Sequence, residues 1–370
     1  MIQNDFTRQW LAVGPSVMAA VERVGASGRY ILGPEVEAFE TALAGHCGVR
    51  HAVGVGNGMD ALEIALRCLD LRPGEKVLTT PFSAFATTLA ILRAGGLPVF
   101  VDVDDNGNID LDQCRDILGR DRALRFLVPV HLYGNPVALD LLAGLKKDFD
   151  LLIVEDCAQA LGARSHDRAA GTIGQAAATS FYPTKNLGAL GDGGAVLTND
   201  GALATRARTL RHYGQSSLYA HDVRGLNSRL DEIHAAILSE ALLPNLLSWI
   251  RRRAEIATRY LTEIHNPNLR LPTRAAGSEP AWHIFPLFAS RRDKLRLFLD
   301  AADIATGVHY PRLIPDQAAM RIPASFEIAV EPENARRLAN SELSLPIYPF
   351  LEDEEIAQVI AACNRFGETG

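Results

Sequence analysis

In HAVGVGNGMDALEIALRCL, residues 51–69, five residues that read as a buried strand run into three glycines set two apart and then into a helical stretch. Backbone amides at a helix start form a ready anion site, and glycine lets a phosphate come close to the chain. The spacing is wrong for a dinucleotide fingerprint, because Met59 stands where the third glycine would be needed. A tight strand-to-helix turn with no ligand fits this segment equally well.

Outward from that turn the pattern repeats. Apolar runs at His51–Val55, Lys76–Thr79, Pro98–Val101, Arg125–Val130 and Leu151–Glu155 read as strands. They alternate with amphipathic helices at Pro34–Ala44, Met59–Leu69, Ala84–Arg93 and Val137–Lys146. Continuous rather than alternating apolar strands between helices predict a mostly parallel sheet covered on both faces, with ligands beyond the carboxyl ends of its strands. Two more strands, Ala177–Tyr182 and Gly194–Thr198, flank NLGALGDGG, and Asp200 caps a helix to about Arg211. Pro244 must end or kink the long helical stretch that follows. We place a boundary there, giving a large domain of residues 1–243 and a smaller α+β domain of residues 244–370. The latter has strands near Trp282–Phe288 and Thr306–Tyr310 and helices near Arg291–Asp303, Pro332–Glu342 and Glu352–Arg365.

Composition narrows the function. The 370 residues carry 37 Lys and Arg against 44 Asp and Glu, a net charge of −7 that disfavours a nucleic-acid partner. Five scattered cysteines without a CxxC pair fit a reducing compartment, neither a disulfide framework nor a metal site, so a cytoplasmic location is expected. Asp5 and Arg8 interrupt the N-terminus where a signal peptide needs an apolar core, and no membrane association is expected.

Two segments carry candidate chemistry. LLIVEDCAQALGA, residues 151–163, ends a buried strand at Glu155 and Asp156, where a carboxylate can hold a cationic ring nitrogen or cap the next turn. SFYPTKNLGALGDGG, residues 180–194, sets Lys185 in an apolar, aromatic neighbourhood that favours the neutral amine needed for a Schiff base. A phosphate cradle, a ring-nitrogen acid and a lysine are together the parts that hold pyridoxal phosphate.

GNGMDALEIAL, TTPFSAFATTLA, VEDCAQALGA, SFYPTKNLGALGDGGAV and GLNSRLDEIHAAIL, in this order and spacing, resemble the pyridoxal-phosphate-dependent sugar aminotransferases of the DegT/DnrJ/StrS family. The resemblance implies an aspartate-aminotransferase-like (fold type I) large domain and passage through pyridoxamine phosphate. It implies that Lys185 carries the Schiff base and moves the proton, and that Asp156 pairs with the pyridinium nitrogen. Gln159 would contact the ring hydroxyl, Phe85 stack on the ring, Gly58 and Met59 offer amides to the phosphate, and Ser180 a hydroxyl. Asn227 would reach the phosphate from a neighbouring subunit, which implies a homodimer with shared active sites. His309, Tyr310 and Tyr182 resemble residues that anchor a nucleotide diphosphate, and Arg229 suits a donor carboxylate.

GNGMDAL looks like members acting at carbon 3 of nucleotide-linked keto sugars. The expected reaction therefore moves an amino group from glutamate to a dTDP-linked 3-keto-6-deoxy sugar. The alternatives are a 4-keto substrate or a cofactor-binding regulatory protein without turnover. Ser217 and Leu218 stand where relatives often have a Lys or Arg, RLIPDQ (residues 312–317) lacks the expected histidine, and His234 replaces a more usual Gln. A dehydratase on the same fold would lack the lysine that stands at position 185.

Overall fold

The computed structural model describes residues 1–367. An eight-stranded sheet forms its centre. The first five strands are β1 (His51–Val55), β2 (Lys76–Thr79), β3 (Leu97–Phe100), β4 (Phe126–Leu127) and β5 (Leu152–Asp156). The spatial order is β1, Gly194–Thr198, Ala176–Ser180, β5, β4, β2, β3 and Glu327–Ile328. All neighbours run parallel except Gly194–Thr198, which is antiparallel to both of its partners. This is the mostly parallel sheet expected.

Side chains leave successive strand residues on opposite faces. Val77 and Val154 thus enter one apolar cluster while Leu78 and Ile153 enter another. The first lies under α3 (Gly58–Cys68), α4 (Phe85–Arg93) and the helix Gly201–Arg211; the second lies under the helices Leu111–Arg120 and Leu139–Phe149. Apolar residues on both faces explain why the strands read as continuous runs rather than alternating ones.

Two expected strands are shorter than their apolar runs, for plain reasons, and Pro244 interrupts its helix as expected. The expected strand Arg125–Val130 pairs only over Phe126–Leu127, because Pro129 has no N–H to donate; Val130 makes a single bridge to Asp156. At Thr306–Tyr310 only Gly307 bridges, to Ser344, while the His309 N–H is taken by the Glu342 side chain at 2.6 Å. At Pro244 the helix passes through a π turn, Leu238–Leu242, and a 3-10 turn, Leu243–Asn245, before resuming as Leu246–Glu263. The whole run Glu232–Glu263 has the length and apolarity of a membrane span. Ala235, Ala236, Leu238, Leu242 and Leu246 are nevertheless buried in a protein core with Val13, Val17 and Phe39.

Several elements lie outside the sequence reading, among them the helix Leu111–Arg120, the edge strand Glu327–Ile328 and the two described next. Helix α1 (Phe6–Ser27), followed by α2 (Pro34–Cys47), is capped by Asp5 and buries Val13, Val17, Ala20 and Val24 at helical spacing. Strand Glu342–Leu345 pairs with Phe285–Ala289, which in turn pairs with Leu269–Arg270, in a small antiparallel sheet. The capping box Glu352/Glu355 starts the last helix, Asp353–Arg365, as its acidic first turn suggests.

Candidate active site

The strand ends converge at one edge of the large sheet. There Asn57, Gly58, Met59, Ala84, Ala86, Thr87, Asp156, Gln159, Ser180, Tyr182 and Lys185 line a cleft of about 300 Å³.

Its floor is the start of α3. Asn57 caps the helix by accepting from the Asp60 N–H at 2.8 Å, and Gly58 and Met59, the first helical residues, have N–H groups with no intrahelical partner. A Cβ on Gly58 would stand 2.7 Å from the Ser180 Cβ, so only glycine lets the helix start meet this strand end. Gly194 packs as closely on Asn57, which explains a glycine at the end of the 186–194 loop. Two free amides and the Ser180 hydroxyl therefore share one corner.

At the other end, Asp156 closes β5 and is 5% exposed. Its carboxylate accepts from Thr87 Oγ1 at 2.8 Å and from the Ala158 N–H at 3.0 Å. These bonds fix the carboxylate and leave it acceptor capacity toward the cleft. Sequence reasoning missed Thr87, whose only signal is a hydroxyl on the buried face of α4.

Lys185 lines the same cleft, on a turn closed by its N–H to the Tyr182 carbonyl at 2.8 Å. One side of the residue opens on the cleft, while protein atoms crowd the amine elsewhere. Desolvation pushes its pKa down to about 8, against the opposing pull of the Asp156 charge.

Gln159 is held from two sides. Its Oε1 accepts from the Tyr133 N–H at 2.6 Å, and its Nε2 donates to the Tyr310 hydroxyl at 3.1 Å. Tyr182 is 52% exposed at the cleft mouth. His309 lies in an adjoining chamber of about 100 Å³ with Gln3, Asn4, Thr184, Arg253 and His283. Burial and the Lys185 charge push His309 down to about 4 and His283 well below its usual range.

Three expected site residues stand elsewhere in this protomer. Phe85 packs with Phe100, Ile314 and Met320, so the cleft wall at the start of α4 is Ala84 and Ala86 instead. Two positions before Thr87 on α4, its side chain leaves the helix on nearly the opposite side from the hydroxyl that meets Asp156. Asn227 is exposed on the loop that bridges to His212. The Arg229 guanidinium lies 5.2 Å from the Tyr213 ring centroid and 3.2 Å from His212 Nδ1, outside the cleft.

Among the described residues His131, Glu155 and Cys157 form a cluster with metal-ligand chemistry. The carboxylate and imidazole atoms are already taken. Glu155 accepts from the N–H groups of Gly171, Ile173 and Gly174 and lies 3.0 Å from His131 Nε2, while His131 Nδ1 accepts from the Val137 N–H.

The donor set fits pyridoxal phosphate. Two amides and a hydroxyl at the glycine corner suit a phosphate, the fixed Asp156 suits a protonated ring nitrogen, and a desolvated amine in the same cleft suits an aldehyde.

Comparison with known proteins agrees. Residues 13–364 match the DegT/DnrJ/EryC1/StrS aminotransferase family. The dTDP-3-amino-3,4,6-trideoxy-alpha-D-glucose transaminase of Streptomyces venezuelae is 44% identical over 357 residues, which cover 95% of this chain and 92% of that one. A pleiotropic regulatory protein of Geobacillus stearothermophilus is 38% identical over 369 residues, covering 98% and 97%. The crystal structure of S. venezuelae DesV in complex with a ketimine intermediate superposes with a TM-score of 0.93 at 41% identity, covering 98% of this chain and 97% of that chain. The chain belongs to the DegT/DnrJ/EryC1/StrS aminotransferase family and is a pyridoxal-phosphate-dependent enzyme.

Proposed function

We propose that this enzyme transfers an amino group from glutamate to a nucleotide-linked 3-keto-6-deoxy sugar carried on dTDP. The observation that carries the reading is that Lys185, the fixed Asp156 and the open amides of α3 line one cleft. The full-length likeness to a transaminase named for a dTDP-3-amino sugar supports the choice of substrate.

When bound, pyridoxal phosphate supplies an electrophilic carbon and a ring that withdraws electrons. The Gly58 and Met59 amides and the Ser180 hydroxyl hold its phosphate, joined by Asn227 of the partner subunit in a homodimer with shared sites. Asp156, oriented by Thr87 and the Ala158 N–H, keeps the ring nitrogen protonated. Gln159 positions the ring hydroxyl while its amide, tied to Tyr310, fixes that tyrosine at the substrate side. Lys185 Nζ takes and returns the proton at the reacting carbon, which its lowered pKa allows near neutral pH. Tyr182, His309 and Tyr310 bind the nucleotide diphosphate, and Arg229 receives the donor's carboxylate across the subunit boundary. We further propose that the chain divides into residues 1–243 and 244–370 and works in the cytoplasm.

The test is ¹⁵N-glutamate with a panel of 3-keto and 4-keto dTDP sugars, read by mass. Label in a dTDP-3-amino sugar is the expected result. Label only in a 4-amino product overturns the regiochemistry. No transfer to any keto sugar, with the cofactor bound, favours a regulatory protein, the reading suggested by the name of the Geobacillus relative.

A further inference from the structure

The wall of the small chamber beside Lys185 contains a closed hydrogen-bond chain through His309 whose other side chains, Ser344 and Glu342, have no part in the reading above. His309 Nδ1 lies 2.8 Å from Ser344 Oγ, Ser344 Oγ is bonded to Glu342 Oε1, and Glu342 Oε2 accepts from the His309 N–H at 2.6 Å. Glu342 and Ser344 have no solvent exposure, both lying in the strand Glu342–Leu345. Gly307 bridges to Ser344 and the Tyr133 hydroxyl donates to the His309 carbonyl, so the backbone under the imidazole is pinned as well. Nε2 is left as the ring's one polar atom without a hydrogen-bond partner among the described residues, on a side chain that lines the chamber.

A hydroxyl has one proton to give, so the chain runs in one of two directions. With Glu342 protonated, its O–H donates to Ser344, Ser344 donates to Nδ1, and the ring proton sits on Nε2. With Glu342 ionised, Ser344 donates to the carboxylate, Nδ1–H donates to Ser344, and Nε2 keeps a bare lone pair.

We propose that Glu342 and Ser344 are positioning residues that set the tautomer of His309, so that its Nε2–H donates a hydrogen bond to a phosphate oxygen of the nucleoside diphosphate. This rests on the nucleotide-sugar reading. A neutral N–H in a cramped chamber shared with Arg253, Gln3 and Asn4 suits an anionic oxygen, whereas a bare imidazole lone pair would repel it. Burial pushes Glu342 up to about 8 and His309 down to about 4, which selects the first direction at pH 7. The charged or titratable groups around the pair are Arg292, whose charge acts on Glu342, together with Tyr133, Tyr310, His283 and Lys185.

The test uses the holoenzyme with ¹⁵N-labelled histidine, the His309 signal being the one missing from His309→Asn, and dTDP as the binding probe. The wild type shows Nε2–H at pH 7. Ser344→Ala loses that tautomer preference, weakens dTDP about tenfold, and raises KM for the nucleotide sugar more than it lowers kcat, leaving KM for glutamate unchanged. Glu342→Gln keeps a donor toward Ser344, so it retains Nε2–H and dTDP affinity. It also abolishes the loss of dTDP affinity that the wild type shows as pH rises through about 8. The surrounding groups are common to both proteins, so the difference isolates Glu342. An Nδ1–H His309 in the wild type at pH 7, or unimpaired dTDP binding by Ser344→Ala, overturns the relay alone. A wild type that does not bind dTDP overturns the substrate reading on which it rests.

Discussion

Glu155 and Asp156 are neighbours at the end of β5, yet they face different sides of the sheet. Glu155 is fully buried among three backbone N–H groups and His131. Burial by itself would raise its carboxyl, but the His131 bond and charge and the backbone donors bring it below the usual range. The Asp156 carboxylate accepts, among the described residues, only from Thr87 and the Ala158 N–H and opens on the cleft. One acid is saturated and builds the scaffold; the next retains lone pairs for a ligand. Hydrogen-bond saturation, more than burial or strand position, separates a structural carboxylate from a candidate functional one here.

The largest effect belongs to the group facing Asp156. Lys185→Ala lowers kcat by at least about 10³-fold in single-turnover assays, the scale of a removed acid-base group, with the melting temperature little changed. The two acids then separate by readout. Asp156→Asn lowers kcat by about 10²-fold at near wild-type stability, since the amide oxygen still accepts from the Ala158 N–H while its NH2 donates to Thr87 Oγ1. Glu155→Gln breaks a buried network and destabilises by about 3 kcal/mol in urea unfolding, while the folded fraction still binds the cofactor. A reversed pattern, with stability lost at 156 and activity at 155, would break the comparison.

Thr87→Val sharpens it. Loss of one hydrogen bond to a buried charge costs about tenfold in kcat, and a Thr87→Ser variant restores it. The smallest effect is on pH. An amine lowered to about 8 is protonated below that pH, so the cofactor-free chain reacts with an aldehyde probe about ten times faster at pH 9 than at pH 7 and levels off above. A rate at Lys185 still climbing toward pH 10.5 would show an ordinary, solvated lysine.

Much of this was legible in the sequence because its signals are local. The strand-to-helix turn at Asn57–Met59 carries its own capping residue and glycine, and β5 announces its end with two acids after an apolar run. Lys185, Asp156, Gln159, Ser180, Gly58 and Met59 do meet in one cleft. What stayed hidden depends on distant partners. Thr87 reaches Asp156 across 69 positions, Glu342 reaches the His309 backbone across 33, and neither pairing leaves a periodic trace. Phe85 shows the limit of reading a residue type in a motif, because the apolar cluster of Phe100, Ile314 and Met320 competes for its ring. Helix α1 carries an equally local mark in Asp5 and the spacing of Val13, Val17, Ala20 and Val24, a signal weaker than the strand-and-glycine pattern downstream.

The most direct test is chemical. Reduce the holoenzyme with borohydride, digest it, and map the peptide that carries the pyridoxyl group by mass spectrometry. The account predicts one labelled peptide, modified at Lys185, and no label in Lys185→Ala. A pyridoxyl group fixed on any other lysine, or retained in that variant, would contradict it.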